Sequence, residues 1–554
     1  MITVCRQCHS DFFVTDKDLE LYDKTSPLLN GVKYSIPAPT LCPDCREQRR
    51  ICFRNERKLY ERKCDLTGKD ILSVYSPDKP VKVYDQDEWW ADKWDPLVYG
   101  RDFDFSRPFF EQFHELSLVV PKIALMVSKS ENCRHTNNVV GCKNCYMLLG
   151  WGNQCEDCYY GKALESCKNC VDVSFSYRSE LCYECINIDD CYHSAYLTSC
   201  IHCSDCYFSE NCIGCKNCFG CLNLTNKEFY IFNQPYSREK YLEKIKELND
   251  YSDRAITTIT ANLQKLKRQV PQRFYHGSNI ENCTGDYLRS SKNVYHSFDV
   301  VLSEDICYIN DCYEVKDSID ACKSSRGSLF RECLSFTGQN CAFMAISWSC
   351  HDMLYCQECF NNCANCFGCI GLKHKEYCIL NKQYTKEQYD ALLPKIIEHM
   401  RSTGEWGEFF PNVLSPFAYN ETLAQEYYPL TREIVVQNGW QWKDKDTREY
   451  QQQTYIVPKS IKEVQDDICQ NTLACESCGK NYRIVKQELA FYKQFQLPIP
   501  TKCPDCRHQE RNSRKNPRKL WSRNCQKCNT SIETSYSPER EDVIYCEKCY
   551  LGEV

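Results

Sequence analysis

Glycine is scarce in this chain, 20 of 554 residues, and it is nowhere gathered into a phosphate-cradling loop or a dinucleotide fingerprint. A nucleophile elbow and an HExxH helix are missing as well, which removes the commonest sequence marks of hydrolase and metalloprotease chemistry. No run approaches the roughly 18 to 20 apolar residues of a membrane span. The opening MITVCRQCHSDFF has neither the basic region nor the apolar stretch of a leader, so a cytoplasmic protein without a membrane partner is expected. Net basicity is lacking too: a formal charge of −6 and a pI near 6.1 exclude a globally basic nucleic-acid binder and leave only a local patch.

Cysteine is abundant, with 45 residues, alongside 42% apolar and 13% aromatic content that is ample for buried cores. A reducing compartment disfavours structural disulfides and turns Cys-X2-Cys pairs into metal-ligand or redox candidates, and the odd total argues against complete internal pairing. The cysteines repeat. CYECINIDDCYHSAYLTSC has them at 182, 185, 191 and 200, and CSDCYFSENCIGCKNCFGC brings each back 21 residues later. From Cys155 to Cys221 every separation is a multiple of three. Neither the helical period nor strand alternation produces that, so a coil with corners is expected, with about 21 residues per turn and the cysteines stacked in a ladder of packed thiols. Between Cys283 and Cys378 the threefold spacing lapses, which predicts irregular coils there.

Two duplications organise the rest. From Cys42 onward the N-terminal stretch matches a C-terminal one at a constant shift of 461, Cys42 to Cys503 and Cys64 to Cys525, while CFGCLNLTNKEF from Cys218 matches CFGCIGLKHKEY from Cys366 at a shift of 148. The expected fold is mainly β and multidomain, two cysteine-rich solenoid-like tracts flanked by ribbon modules and joined by helical connectors. The boundaries are a double ribbon at 1–90, an aromatic helical connector at 91–130, a first tract at 131–235 and a helical linker at 236–275. A second tract follows at 276–385, a helical connector at 386–470 and a second double ribbon at 471–554. In the connectors, Ser106 and Pro108 are placed as a helix cap and first turn before Phe109, Phe110, Phe113 and Leu116, and Thr431 as the cap of a helix stopped at Asn438-Gly439.

The ribbon modules carry the chemistry. Cys475, Cys478, Cys503 and Cys506 form two Cys-X2-Cys knuckles, as do Cys5, Cys8, Cys42 and Cys45, and as do Cys525, Cys528, Cys546 and Cys549; four thiolates in two tight knuckles suit structural Zn2+. At the position matching the last of these sites only Cys64 remains, with Thr67, Asp85 and Glu88 in place of the other three cysteines. The stretch from 473 to 515, with Gly479, Phe491, Tyr492, Pro500, Pro504 and Arg507 around its cysteines, resembles the probable zinc-ribbon or treble-clef family marked by CxxCG and CPxCR, and residues 3 to 52 resemble it less closely, with His9 in the glycine's place. The whole plan, paired CPDCR ribbons around tracts ending in CFGC and KEF or KEY, resembles the cysteine-rich zinc-ribbon proteins of candidate-phyla bacteria, a resemblance that implies metal binding and architecture but no reaction.

Between knuckles, residues 502–525 carry eight basic residues against two acidic, and residues 41–64 eight against four. Arg507, Arg511, Arg514, Lys515, Arg518, Lys519 and Arg523 are therefore candidates for phosphate contacts, with Trp521 and Tyr60 for base stacking; alternatively these cations bind acidic stretches of their own chain. His135, His193, His202, His296 and His351 lie among the tract cysteines, where a catalytic Cys-His pair would need them. The leading expectation is a non-enzymatic zinc-binding scaffold that engages a protein or nucleic acid. A nucleic-acid clamp stands second and a metal-handling or thiol-redox protein third.

Overall fold

Residue i pairs in parallel with residue i+12 through most of the central region of the computed structural model, as in Ser174 with Ile186 and Cys206 with Cys218. The structure describes residues 1–248, 251, 253–444, 450–458 and 460–553, which leaves parts of the 236–275 and 386–470 connectors outside the described residues. One coil therefore takes 12 residues, not the 21 expected from the cysteine repeat. The left-handed backbone conformation recurs at every third residue, at Tyr160, Ala163, Ser166, Asn169 and Asp172 for instance, so each coil has four corners. Left-handed backbone costs an L-residue about 1–2 kcal/mol, least for Asn, Asp and Gly, and Asn169, Asp172, Asn187, Asp190, Asn211 and Asn217 occupy such corners. Both 12 and 21 are multiples of the three-residue side, so the sequence repeat follows the corners and drifts across the coils.

The residue after each corner points inward, and a coil with three-residue sides leaves room for small side chains only. The first interior is built of Cys155, Cys158, Leu164, Cys167, Cys170, Val173 and their successors up to Cys221. The second tract fills its interior differently, with Val294, Val300, Ile306, Ile309, Cys312, Val315 and later Cys356, Cys359, Cys366 and Cys369 inside. Its threefold spacing breaks between Phe336 and Cys341 and between Cys359 and Cys363, and its pairing runs from i+11 at Gly277–Leu288 to i+13 at His351–Ala364, so the irregular coils expected there are present, together with a change of composition. Two of its cysteines, Cys307 and Cys322, lie outside the coil under packed N-terminal elements, against Leu21 and Tyr22 and within the main apolar core.

Cysteine and serine serve one purpose in this interior. The inward residue's own N–H points into the core, where Cys206 N donates to Ser194 Oγ at 3.1 Å, Cys191 N to Ser179 Oγ at 3.2 Å and Ser324 N to Cys312 Sγ at 3.4 Å, each across one coil. The thiols in turn donate to carbonyls, Cys158 Sγ to Glu156 O and to Cys167 O at 3.4 Å each. A buried amide must find an acceptor, and Oγ or Sγ is the acceptor short enough to fit. All 45 cysteines are free thiols, with no disulfide among them.

Each stack ends alike, in a hairpin at Glu228–Ile231 with Gln234–Pro235 or at Cys378–Ile379 with Lys382–Gln383, followed by a helix at Arg238–Leu248 or Lys386–Ser402. In the connectors, the helix Phe109–Val119 buries Phe109, Phe113 and Leu116 against Tyr355, Phe367 and Ile379. Ser106 is not its cap: Ser106 bonds Asp104, and the free amides of Phe109 and Phe110 donate to the Glu405 carboxylate at 2.8 and 2.7 Å. The Thr431 side chain does cap Arg432–Gln437, which ends at Asn438.

Replacing Ser194 by Ala removes the acceptor of a buried amide and is expected to cost about 1–3 kcal/mol, whereas Ser194→Cys keeps it and should cost less than about 1 kcal/mol. Paired thermal melts check this, and equal losses for both variants would count against the amide-acceptor role.

Candidate metal centres and the interface they hold

Each ribbon knuckle is a tight turn in which the fourth residue after the first cysteine bonds back to that cysteine's carbonyl: Gly479 N to Cys475 O, Asn529 N to Cys525 O, His9 N to Cys5 O. The turn needs left-handed backbone, taken by Gly479 at φ 73° and, at greater conformational cost, by His9 at φ 60° and Asn529 at φ 61°. Knuckle pairs then face each other. The sulfurs of Cys5, Cys8, Cys42 and Cys45, of Cys475, Cys478, Cys503 and Cys506, and of Cys525, Cys528, Cys546 and Cys549 lie within 4.8 Å of one another in each set. Across the two knuckles the Cys8–Cys42, Cys478–Cys503 and Cys528–Cys546 sulfurs stand 3.7 Å apart. Four sulfurs about 2.3 Å from a tetrahedral ion would be separated by roughly 3.8 Å, so the donor sets fit a soft, four-coordinate metal ion. Burial raises the Cys475 thiol, but backbone N–H groups of Cys503, Cys478 and Ser477 favour its anion more strongly and hold it at about 6. These are the only groups of three or more cysteine, histidine or carboxylate ligands so arranged among the described residues.

The fourth knuckle keeps its turn, with Gly68 N on Cys64 O, and its sulfur contact, Asp85 N to Cys64 Sγ at 3.3 Å, matching Cys546 N to Cys525 Sγ at 3.2 Å. Cys64 is buried beside Tyr84, Trp89 and Ile123. Apolar packing there surrounds the sulfur that a metal ion would otherwise hold.

After each CPDC knuckle a helix runs outward, Pro43–Ile51 and Pro504–Asn512, carrying the basic residues. The ribbons cross over. The N-terminal helix docks on the second tract, where Arg46 Nε bonds Asp320 at 2.8 Å and Arg50 bonds Glu332 at 2.6 Å. The C-terminal helix docks on the first, where Arg507 Nε bonds Asp172 at 2.8 Å and Arg511 bonds Asp172 at 2.8 Å and Glu184 at 2.9 Å. The two interfaces are equivalent residue by residue, since the shift of 461 relates the arginines and the shift of 148 relates Asp172 to Asp320 and Glu184 to Glu332. Tyr160 and Tyr308, also 148 apart, lie under the first arginine of each helix and bond Glu488 at 2.7 Å and Asp18 at 3.4 Å.

The geometry follows from two periods. Tyr160, Asp172 and Glu184 stand at successive corners of one column, a rung of about 4.8 Å apart, while arginines four apart on a helix are about 5–6 Å apart. One turn of helix therefore spans one coil. The acids escaped sequence reasoning, although their common separations of 12 and 148 were available as a signal. Burial alone would raise the Asp320 carboxyl, but Arg46 and Arg50 outweigh it and hold it below the usual range.

This placement corrects the phosphate-contact expectation for most of its residues. Arg507 and Arg511 are buried on the coil, Arg514 bonds Glu184, Lys515 bonds Asp299, and Arg518 reaches Glu47, Asp299 and Asp311. Arg523 donates to Ser537 O, and Lys519 is exposed over Trp521, near Asp44 and Glu539 but in no close ion pair among the described residues. Tyr60 bonds Glu421. Of the tract histidines, His193, His202 and His351 bond Asp205, Asp190 and Asp352 on the outside of the coil, while His135 and His296 lie against Tyr146 and Tyr308, away from the inward thiols. Between the ribbons lies a cavity of about 800 Å³, lined by aromatic residues such as Phe175 and Tyr427 and by Asp44, Arg57 and Lys58 with their equivalents Asp505, Arg518 and Lys519, with Arg57 bonding Asp505 at 3.0 Å.

Comparison with protein-family models and with curated proteins finds no match for this chain.

Arg511→Ala removes one of the two arginines on Asp172 and on Glu184, leaving Arg507 and Arg514 in place, and is expected to cost about 1.5–3 kcal/mol. Lys63→Ala, which breaks the exposed pair with Asp70, should cost under about 1 kcal/mol. Denaturant titration of both variants checks the contrast, and similar losses would deny the docking role.

Proposed function

We propose that this chain is a non-enzymatic zinc-binding scaffold: zinc-held ribbons clamp two thiol-packed solenoids into one rigid body that presents its surfaces to a protein partner in the cytoplasm. One observation carries the reading, the crossed docking of each ribbon helix on the far tract through buried arginine–carboxylate pairs. Zinc is the preferred ion because four thiolates at tetrahedral spacing suit a metal that neither changes oxidation state nor leaves a position open for substrate. The resemblance of the ribbons to the zinc-ribbon family fits the same role.

The nucleic-acid reading loses support from the engagement of its cations inside the fold. The metal-handling reading fares no better, because the tract sulfurs donate to backbone carbonyls one by one instead of converging in fours.

Protein purified without air should carry about three zinc ions per chain, and the 45 cysteines less the 12 in the three groups leave 33 titratable thiols after unfolding with the metal retained. Clearly more metal and fewer thiols would overturn the scaffold in favour of metal handling. Retention on RNA or DNA columns should be weak, with no steep salt dependence; a steep salt slope, reduced by Lys519→Ala, would restore the clamp.

A further inference from the structure

The two ribbons are equivalent in their knuckles and docking helices, yet their outer faces are treated differently. On the C-terminal ribbon, residues 450–458 and 460–470 lie across the hairpin Leu473–Ala474 with Asn481–Tyr482 and the helix Lys486–Phe495. Ile461, Val464 and Ile468 are buried there with Leu473, Tyr482 and Leu489. The polar bonds are specific as well: Gln451 N donates to Asn481 Oδ1 and Asn481 Nδ2 to Gln451 O, each at 2.8 Å, and Ala474 N donates to Gln453 Oε1 at 2.9 Å.

Ahead of the nine-residue insertion the two ribbons are related by a shift of 470, which makes Val4, Asp11, Phe13 and Leu19 the equivalents of Ala474, Asn481, Arg483 and Leu489. Among the described residues nothing covers this N-terminal face. Leu19 is 41% exposed where Leu489 is 2% exposed, and Ile2, Val4 and Phe13 are 63%, 56% and 66% exposed. Ile2 and Phe13 are direct cross-strand partners on one side of the Ile2–Val4 and Asp11–Phe13 hairpin, so their side chains form one apolar patch. The bonding groups survive: the Val4 amide lies on the hairpin's open edge, like that of Ala474, and the Asp11 carboxylate is free to accept an N–H as Asn481 Oδ1 does. Open edges that carry apolar side chains are where extended polypeptides add.

We propose that the outer face of the N-terminal ribbon docks a polypeptide segment of a partner protein, laid down as residues 450–458 and 460–470 lie on the C-terminal ribbon. Such a segment places apolar side chains, spaced like Ile461, Val464 and Ile468, over Leu19, runs past the Ile2 and Phe13 patch, and meets Val4 N and Asp11 with main-chain or amide groups. The inference rests on the scaffold reading and names the surface and partner chemistry that reading leaves open.

The test uses the full chain and a fluorescent synthetic peptide of residues 450–470 as the probe, with zinc content and molar mass measured on the same samples. The expected result is saturable binding that Phe13→Asp with Leu19→Asp weakens at least about tenfold, with zinc content unchanged. No binding by a zinc-replete protein overturns the docking face and leaves the scaffold standing. Binding undiminished in the double variant also overturns it, placing the peptide on the C-terminal ribbon by exchange with the resident segment. Self-association abolished by the double variant replaces the partner with a second copy and likewise overturns the proposal. A protein without zinc fails the scaffold reading itself. Should the double variant misfold, shown by lost zinc, Asp11→Lys offers a milder change at an exposed position, with the same weakening expected.

Discussion

A coil with three-residue sides points one backbone N–H per side into its own interior, and that amide governs the composition of almost half the chain. A few of these amides reach a backbone carbonyl, as Val139 and Leu288 do, and many of the others take a short side chain one coil away as their acceptor. Serine Oγ and cysteine Sγ meet the requirement, as at Ser194, Ser179 and Cys312. Sulfur has the further advantage of filling a narrow core as a small hydrophobe while remaining able to bond a carbonyl. The abundance of cysteine in the tracts thus has one physical cause and its abundance in the ribbons another. Sulfurs in the tracts are spread along columns, and sulfurs in the ribbons converge.

The coils pack their outer aromatic and aliphatic side chains against the ribbons and connectors, as Tyr183 does against Tyr492 and Tyr355 against Phe109, and the docking of the ribbon helices adds buried ion pairs to that contact. Each ribbon helix aims arginines one turn apart at carboxylates one rung apart, and each arginine is buried with its acid. Pairs of this kind add little net stability over an apolar contact but penalise any arrangement that leaves one member unpaired. That penalty selects the register: a shift of the helix by one coil would strand Asp172 or Asp320. Because each ribbon addresses the tract far from it in sequence, the connectors must cross, and the aromatic helix at Phe109–Val119, capped by Glu405 from the other connector, sits where they do.

Much of this was legible in the residues. Cys-X2-Cys knuckles were readable because four ligands in two local turns leave a spacing that few other structures require. Both duplications, the helices that follow the KEF and KEY stretches and the Thr431 cap were readable for the same local reason. The coil length was not, because 21 and 12 are both multiples of the three-residue side, and an inward cysteine recurs at any multiple of three whatever the number of sides per coil. The second tract looked irregular for two reasons: valine, isoleucine and serine replace cysteine inside, and extra residues interrupt the three-residue spacing between Phe336 and Cys341 and between Cys359 and Cys363. The basic stretches left phosphate contact and pairing with acids of their own chain both open, because the acids that meet Arg507 and Arg511 lie more than 300 residues away.

By itself the sequence determined the local units: paired ribbon knuckles with two sulfurs each, cornered coils with small interiors, helices at the connectors, and the duplication of ribbon modules and tract ends. Spacing within a turn or a corner is a short-range property, and short-range properties are written in adjacent residues. Tertiary structure decided which ribbon sits on which tract, which cations are buried and which ribbon face is left open. Those outcomes depend on matching a helical turn to a coil rung across hundreds of residues, and on whether a neighbouring segment is there to cover an edge. Equivalent sequences at the two ends therefore came to unequal surroundings, with Leu489 buried and Leu19 exposed.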